Sequence, residues 1–127
     1  MKKGVGFPDW RFFEGTGMKI RVPSKKVSER FYLTYELKGA QKGVDILTEY
    51  YRIPKMKIIL DGRRVMRGYS CDYFEGIACF TKKGLNKRNV LHELYHHIVN
   101  NKGLEISEKK EEREASRFVR KIMRKSW

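Results

Sequence analysis

The chain has 127 residues, 40% of them hydrophobic and 35% charged, with 29 Lys and Arg against 15 Asp and Glu for a formal charge of +14. That size suits one domain with one modest core, and aromatic and branched residues spread along the whole length exclude a disordered polypeptide. No apolar run approaches the roughly 20 residues of a membrane span, and no apolar stretch follows Met1-Lys2-Lys3-Gly4 as in a secretory signal, so a cytoplasmic location is expected.

Residues 1–24 hold Gly4, Gly6, Pro8, Gly15, Gly17 and Pro23 among the aromatics Phe7, Trp10, Phe12 and Phe13, and read as an irregular arm packed by its rings. Residues 25–52 carry two overlapping patterns. Phe31, Leu33, Tyr35 and Leu37 alternate as in a strand, while Leu33, Leu37, Ala40, Val44, Leu47 and Tyr51 recur at helical steps of three and four. A helix over 41–52, ended by Pro54, fits the second half; the part before Gly39 suits either type.

Met56–Leu60, Val65–Tyr69 and Ile77–Thr81 read as short strands, with Asp61-Gly62 as a strong turn signal after the first. Cys71 and Cys79 do not have zinc-knuckle spacing; they are expected as half-buried thiols on neighbouring strands, unpaired in a reducing compartment. Asn86 or Asn89 can cap a helix running to about Asn100 and closed by Lys102-Gly103. Ser107 can cap a last helix with Glu108, Glu111 and Glu112 in its first turns, and with Ala115, Phe118, Val119 and Ile122 on one stripe. The expected fold is α+β: an N-terminal helix, a small, mostly antiparallel sheet of three or four strands, and two further helices.

All three histidines, His92, His96 and His97, lie between positions 92 and 97. The segment His92-Glu93-Leu94-Tyr95-His96 places two imidazoles four residues apart, on one face of the expected helix, where both can point at one metal ion. Glu93, about 100° further round, can reach a water on that ion rather than the ion itself. A catalytic zinc site needs a third protein ligand and an open position. With no other histidine in the chain, that ligand is a carboxylate or a cysteine. Glu112 leads because it shares the stripe of Ala115 and Val119; Glu111 and Glu108 are its rivals. Histidine with carboxylate favours zinc among divalent ions. For the oxyanion of a hydrolytic step the candidate donors are Tyr69, Tyr73, His97, Arg113 and Arg117.

His92-Glu93-Leu94-Tyr95-His96 followed by Glu112-Arg113-Glu114-Ala115-Ser116 resembles the gluzincins, zinc metallopeptidases whose third ligand comes from a second "glutamate helix". Similar patterns occur in ImmA/IrrE-type proteases and in HtpX-type and CAAX-prenyl membrane peptidases. The order of elements over roughly residues 40–123 looks most like the soluble minimal gluzincins, or minigluzincins. The resemblance implies a zincin-like fold and one zinc ion per chain on His92, His96 and Glu112, with Glu93 as general base. It also implies a peptide or protein substrate laid by strand addition against Ile77, Ala78, Cys79 and Phe80. Ser116 stands where the family often has an Asp or Asn that supports the first zinc histidine, and serine is a weaker partner there. The metzincin pattern does not fit, since its third histidine falls at Lys102.

Two other functions compete. The +14 charge suits contact with nucleic acid, although dispersed basic residues equally make a solvated surface. A zinc scaffold without catalysis would bind the ion and turn nothing over. The tail Lys121–Trp127 directly follows the ligand helix, and its closing aromatic is a candidate to fold back and hold the cleft latent.

Overall fold

A computed structural model describes residues 20–65 and 68–125. The aromatic arm (its first nineteen residues) and the closing Ser126-Trp127 of the expected latency tail lie outside them.

Helix α1 spans Lys25–Lys38, opened by the Ser24 hydroxyl, which accepts from the Val27 amide. The strand-like alternation of this segment resolves differently in a helix. Phe31 and Tyr35 come onto one face, their rings 5.8 Å apart, while Leu33 and Leu37 point outward at 61% and 72% exposure. Gly39, at φ 98°, breaks the chain between α1 and α2 (Ala40–Tyr51). The buried Gly43 lets the two helices touch: a Cβ there would stand 3.0 Å from that of Tyr35. Helix α2 buries Val44, Leu47 and Tyr51 and stops at Arg52 in the left-handed region, two residues before Pro54, as the sequence led one to expect.

The sheet has three strands, β1 (Lys57–Leu60), β2 (Cys71–Phe74) and β3 (Ile77–Phe80), in the order β1-β3-β2. Two expectations need correction. The sheet is mixed, not mostly antiparallel, because β1 and β3 pair in parallel. The turn expected at Asp61-Gly62 is present, as a 3-10 turn over Gly62–Arg64 that the Asp61 carboxylate caps and that sends the chain across to the far side of β3. Val65–Tyr69 is not a strand: Val65, Gly68 and Tyr69 lie outside any strand, residues 66–67 are outside the description, and the strand begins at Cys71. The chain returns from β2 to β3 through Glu75 and Gly76, both at positive φ, as a type I′ hairpin turn requires. Opposite partners in an antiparallel pair share a face. Cys71 faces Phe80 and Cys79 faces Asp72, so the two thiols lie on opposite faces and are free.

Helix α3 (Lys87–Lys102) is capped by Asn86 and ended by Gly103, and α4 (Glu108–Lys125) is opened by the Ser107 hydroxyl. Phe31, Leu47, Met56, Phe80, Leu94, Ile98, Phe118 and Ile122 form the core where helices meet sheet. The fold is therefore α+β, with four helices and a small three-stranded mixed sheet among the described residues. Among the described residues, no helix is long and apolar enough to cross a membrane.

Candidate metal centre

Val90, Leu91, Leu94, Tyr95 and Ile98 pin α3 onto the core, which leaves His92 and His96 half-buried on the neighbouring flank. One helical turn separates them, and their ring centroids stand 5.1 Å apart. Helix α4 packs beside α3 through Ala115, Phe118, Val119 and Ile122, with the Phe118 ring 5.3 Å from that of Tyr95. Glu112, one turn before Ala115, is carried to the two histidines. Its Oε1 lies 3.0 Å from His92 Nε2 and its Oε2 2.9 Å from His96 Nε2.

The three donors lie within 4.8 Å of one another. Ligands about 2.0–2.2 Å from a tetrahedral zinc ion stand roughly 3.3–3.5 Å apart, so the donor set is of the size such an ion needs, with side-chain adjustment on the order of 1 Å. Of the rival ligands, Glu111 goes to the other nitrogen of His96, its Oε2 at 2.5 Å from Nδ1. Glu108 lines the same cleft but contacts neither histidine.

Glu93 is 5% exposed, behind the two imidazoles, and its Oε2 accepts from the Cys71 thiol at 3.0 Å. Burial pushes the Glu93 carboxyl above its ordinary range, against the opposing pull of Cys71, His96 and His92. The thiol of Cys71 is pushed up as well, first by burial and then by the adjacent carboxylate, so it stays protonated and donates. Nothing in the sequence singled out Cys71 for this position; the pairing of β2 in the sheet puts it there.

The cleft is open, about 940 Å³, with Tyr69–Tyr73 on one wall and α3 and α4 on the other. Among the described residues it is lined by Asp72, Glu93, Glu108, Glu111 and Glu112 and by no Lys or Arg.

Other candidate residues take different places. His97 is 1% exposed and turned away from the candidate ligands, toward Pro54. Its Nε2 lies 2.7 Å from the Pro54 carbonyl, which can only accept, so Nε2 carries the proton and Nδ1 accepts from the Tyr73 hydroxyl at 2.8 Å. Burial holds its pKa below the usual imidazole value. The Tyr73 oxygen also receives the Gly76 amide at 3.0 Å. Tyr73 and His97 thus form a strut beneath the hairpin, with their polar atoms spent. Tyr69, 63% exposed, remains on the cleft wall, whereas Arg113 and Arg117 do not line it. Ile77, Ala78, Cys79 and Phe80, expected as an open strand for substrate, form the central strand, hydrogen-bonded on both sides, with Ala78, Cys79 and Phe80 buried. Among the described residues, the edge strand beside the cleft is β2, which pairs only with β3. Among the described residues, Ser116 makes no hydrogen bond to His92.

Comparison with protein-family models, with curated proteins and with solved structures finds no match to this chain.

Proposed function

We propose that this cleft is the active site of a zinc-dependent metallopeptidase of the gluzincin type, on a zincin-like scaffold. One observation carries the reading: two imidazole nitrogens of a His-Glu-x-x-His helix and a carboxylate from a second helix converge at 2.9–3.0 Å, with a buried glutamate beside them. Two nitrogens and one carboxylate, with a fourth position open to a cleft, is the donor pattern of catalytic rather than structural zinc. Held by His92, His96 and Glu112, one zinc ion per chain would supply Lewis acidity to a water molecule and to the scissile carbonyl.

The remaining work falls to the chain itself. Glu93 takes the proton of the attacking water and returns it to the departing amine. Its burial, which favours the protonated carboxyl, makes it a stronger base than a surface glutamate and able to hold that proton between the two transfers. An extended peptide adds to the free edge of β2, where main-chain hydrogen bonds hold it along the cleft. Of the two tyrosines on that wall, Tyr69 is the one whose hydroxyl is available to a developing oxyanion, since that of Tyr73 is taken by His97 and Gly76. The acidic lining argues against nucleic acid at this cleft, since among the described residues a phosphate backbone would meet five carboxylates and no basic side chain.

The test is zinc content and peptide hydrolysis for the wild type beside Glu93→Ala and Glu112→Ala. Expected are one zinc per chain, retained metal without cleavage in Glu93→Ala, and lost metal in Glu112→Ala. Zinc binding without turnover in the wild type would leave only the silent scaffold, and a wild type that binds no zinc would end the metal reading altogether.

A further inference from the structure

The two nitrogens of His96 are both engaged by carboxylates, and these carboxylates are neighbours in the sequence. Glu112 meets Nε2 at 2.9 Å and Glu111 meets Nδ1 at 2.5 Å. Adjacent residues on a helix point about 100° apart, so the pair grips the ring like a fork, one prong on each side. His92 has only one such partner, Glu112 on its Nε2, among the described residues. The side chains of His96 and Glu111 are also the more enclosed, at 14% and 22% exposure, against 25% for His92 and 56% for Glu112.

An imidazole that binds a metal through Nε2 must carry its proton on Nδ1, and it can rotate about its side-chain bonds unless that proton is held. We propose that Glu111 is the positioning residue of the metal centre, accepting the Nδ1 proton of His96 so that Nε2 is deprotonated and aimed at the ion. This rests on the zinc reading of the cleft and extends it. Glu111 then touches neither metal nor substrate and acts only through His96, while Glu112 ligates. The tandem Glu111-Glu112 is one functional unit in which order matters: the first glutamate orients the second histidine and the second glutamate binds the ion.

The experiment is a zinc dissociation constant, by competition against a chromogenic chelator, for the wild type, Glu111→Met, Glu111→Gln and Glu108→Gln. Methionine keeps the length of Glu111 and removes the acceptor; glutamine keeps an amide oxygen for Nδ1–H. Glu108→Gln removes a charge from the same cleft without touching His96. Glu111→Met should weaken zinc by about 10–100-fold, with Glu111→Gln and Glu108→Gln both within roughly five-fold of wild type. Cobalt substituted into Glu111→Met should give a changed visible spectrum, restored in Glu111→Gln, which a purely structural role for Glu111 would leave alone. Equal affinities for Glu111→Met and wild type would overturn the proposal, as would Glu108→Gln weakening zinc as much as Glu111→Met, which would mean a general field effect. A wild type that takes up no zinc is a separate outcome: it removes the parent reading before Glu111 is tested, and the proposal with it.

Discussion

Gly84 sits in the loop between β3 and α3, and its missing side chain sets the position of the cleft wall. A Cβ on it would meet the Ser70 carbonyl oxygen at 2.1 Å and the Ser70 carbonyl carbon at 2.8 Å. That carbonyl accepts from the amide of Thr81 at 3.0 Å and from its hydroxyl at 3.2 Å, while Gly84 itself is tied by its amide to Thr81 and by its carbonyl to Asn89. Neither side can yield freely. Reaching an ordinary contact of about 3.4 Å requires roughly 1.3 Å of withdrawal by Ser70, enough to break both hydrogen bonds from Thr81. Two bonds at about 0.5–1.5 kcal/mol each, plus about 1–3 kcal/mol of overpacking, less about 0.4–1 kcal/mol from the stiffer unfolded chain, leave Gly84→Ala destabilised by roughly 1–5 kcal/mol, with about 3 kcal/mol at the middle of the range. For a chain of this length the middle value lowers the melting temperature by roughly 12 °C, and the low end by roughly 4 °C. Ser70 leads directly into β2, so Cys71 moves with it and its contact with Glu93 is lost. The metal donors, on α3 and α4, do not rest on Ser70. Calorimetry of Gly84→Ala beside Gly62→Ala reads the first effect, because a Cβ on Gly62 meets nothing closer than 3.7 Å and should cost under about 1 kcal/mol. Zinc titration reads the second and should stay within a few-fold of wild type. A Gly84→Ala protein melting within about 2 °C of wild type would refute the reasoning, since it would show that Ser70 gives way without cost.

Two further outcomes are expected. Tyr95→Phe should cost about 2–3 kcal/mol in denaturant unfolding, because the Tyr95 hydroxyl donates at 2.6 Å to Glu114, 1% exposed and with its other oxygen lacking a hydrogen bond; adding Glu114→Leu should recover much of the loss. Stability should fall as pH rises past about 9, first through Cys71, whose thiol is held protonated in the fold by burial, and further past about 10 through Tyr51 and Tyr95, checked by denaturant midpoints from pH 8 to 11 with Tyr51→Phe flattening the slope above about 10. Burial raises the phenols of Tyr51 and Tyr95, so above that pH the unfolded chain releases protons that the folded one retains.

How far the sequence reaches can be argued from single elements. The helices α2, α3 and α4 were legible because caps and periodicity agree: Asn86, Gly103 and Ser107 stand at the ends where the apolar stripes begin or stop. Residues 25–38 stayed ambiguous for a physical reason. Phe31, Leu33, Tyr35 and Leu37 fill every second position, and the helix satisfies only Phe31 and Tyr35, leaving two leucines in solvent. The sheet misled because Asp61-Gly62 is equally good as a hairpin turn and as the start of a 3-10 turn, and what decides between them is where β3 lies, which is not local.

The same division runs through the candidate site. His92, Glu93 and His96 are set by the geometry of a single helix, so their spacing is readable as chemistry. Glu112 is one step less local, yet it lies on the stripe that must face α3, and burial of Ala115 and Val119 carries it there. Beyond that step periodicity loses its hold. Glu111 and Glu112 differ by one position, and only the way α4 lies against α3 decides that one reaches Nδ1 and the other Nε2 of His96. Tyr73 and His97 were both candidate oxyanion donors, but His97 is about 100° past His96 around α3, which turns it toward Pro54 and the hairpin, and Tyr73, although on the cleft wall, spends its hydroxyl on His97 and Gly76. One helical step thus separates a candidate metal ligand from a buried strut on α3, and a candidate ligand from the proposed anchor of its neighbour on α4. The residue type is the same within each pair, so composition and motif cannot distinguish the two roles; the packing angle of two helices assigns them.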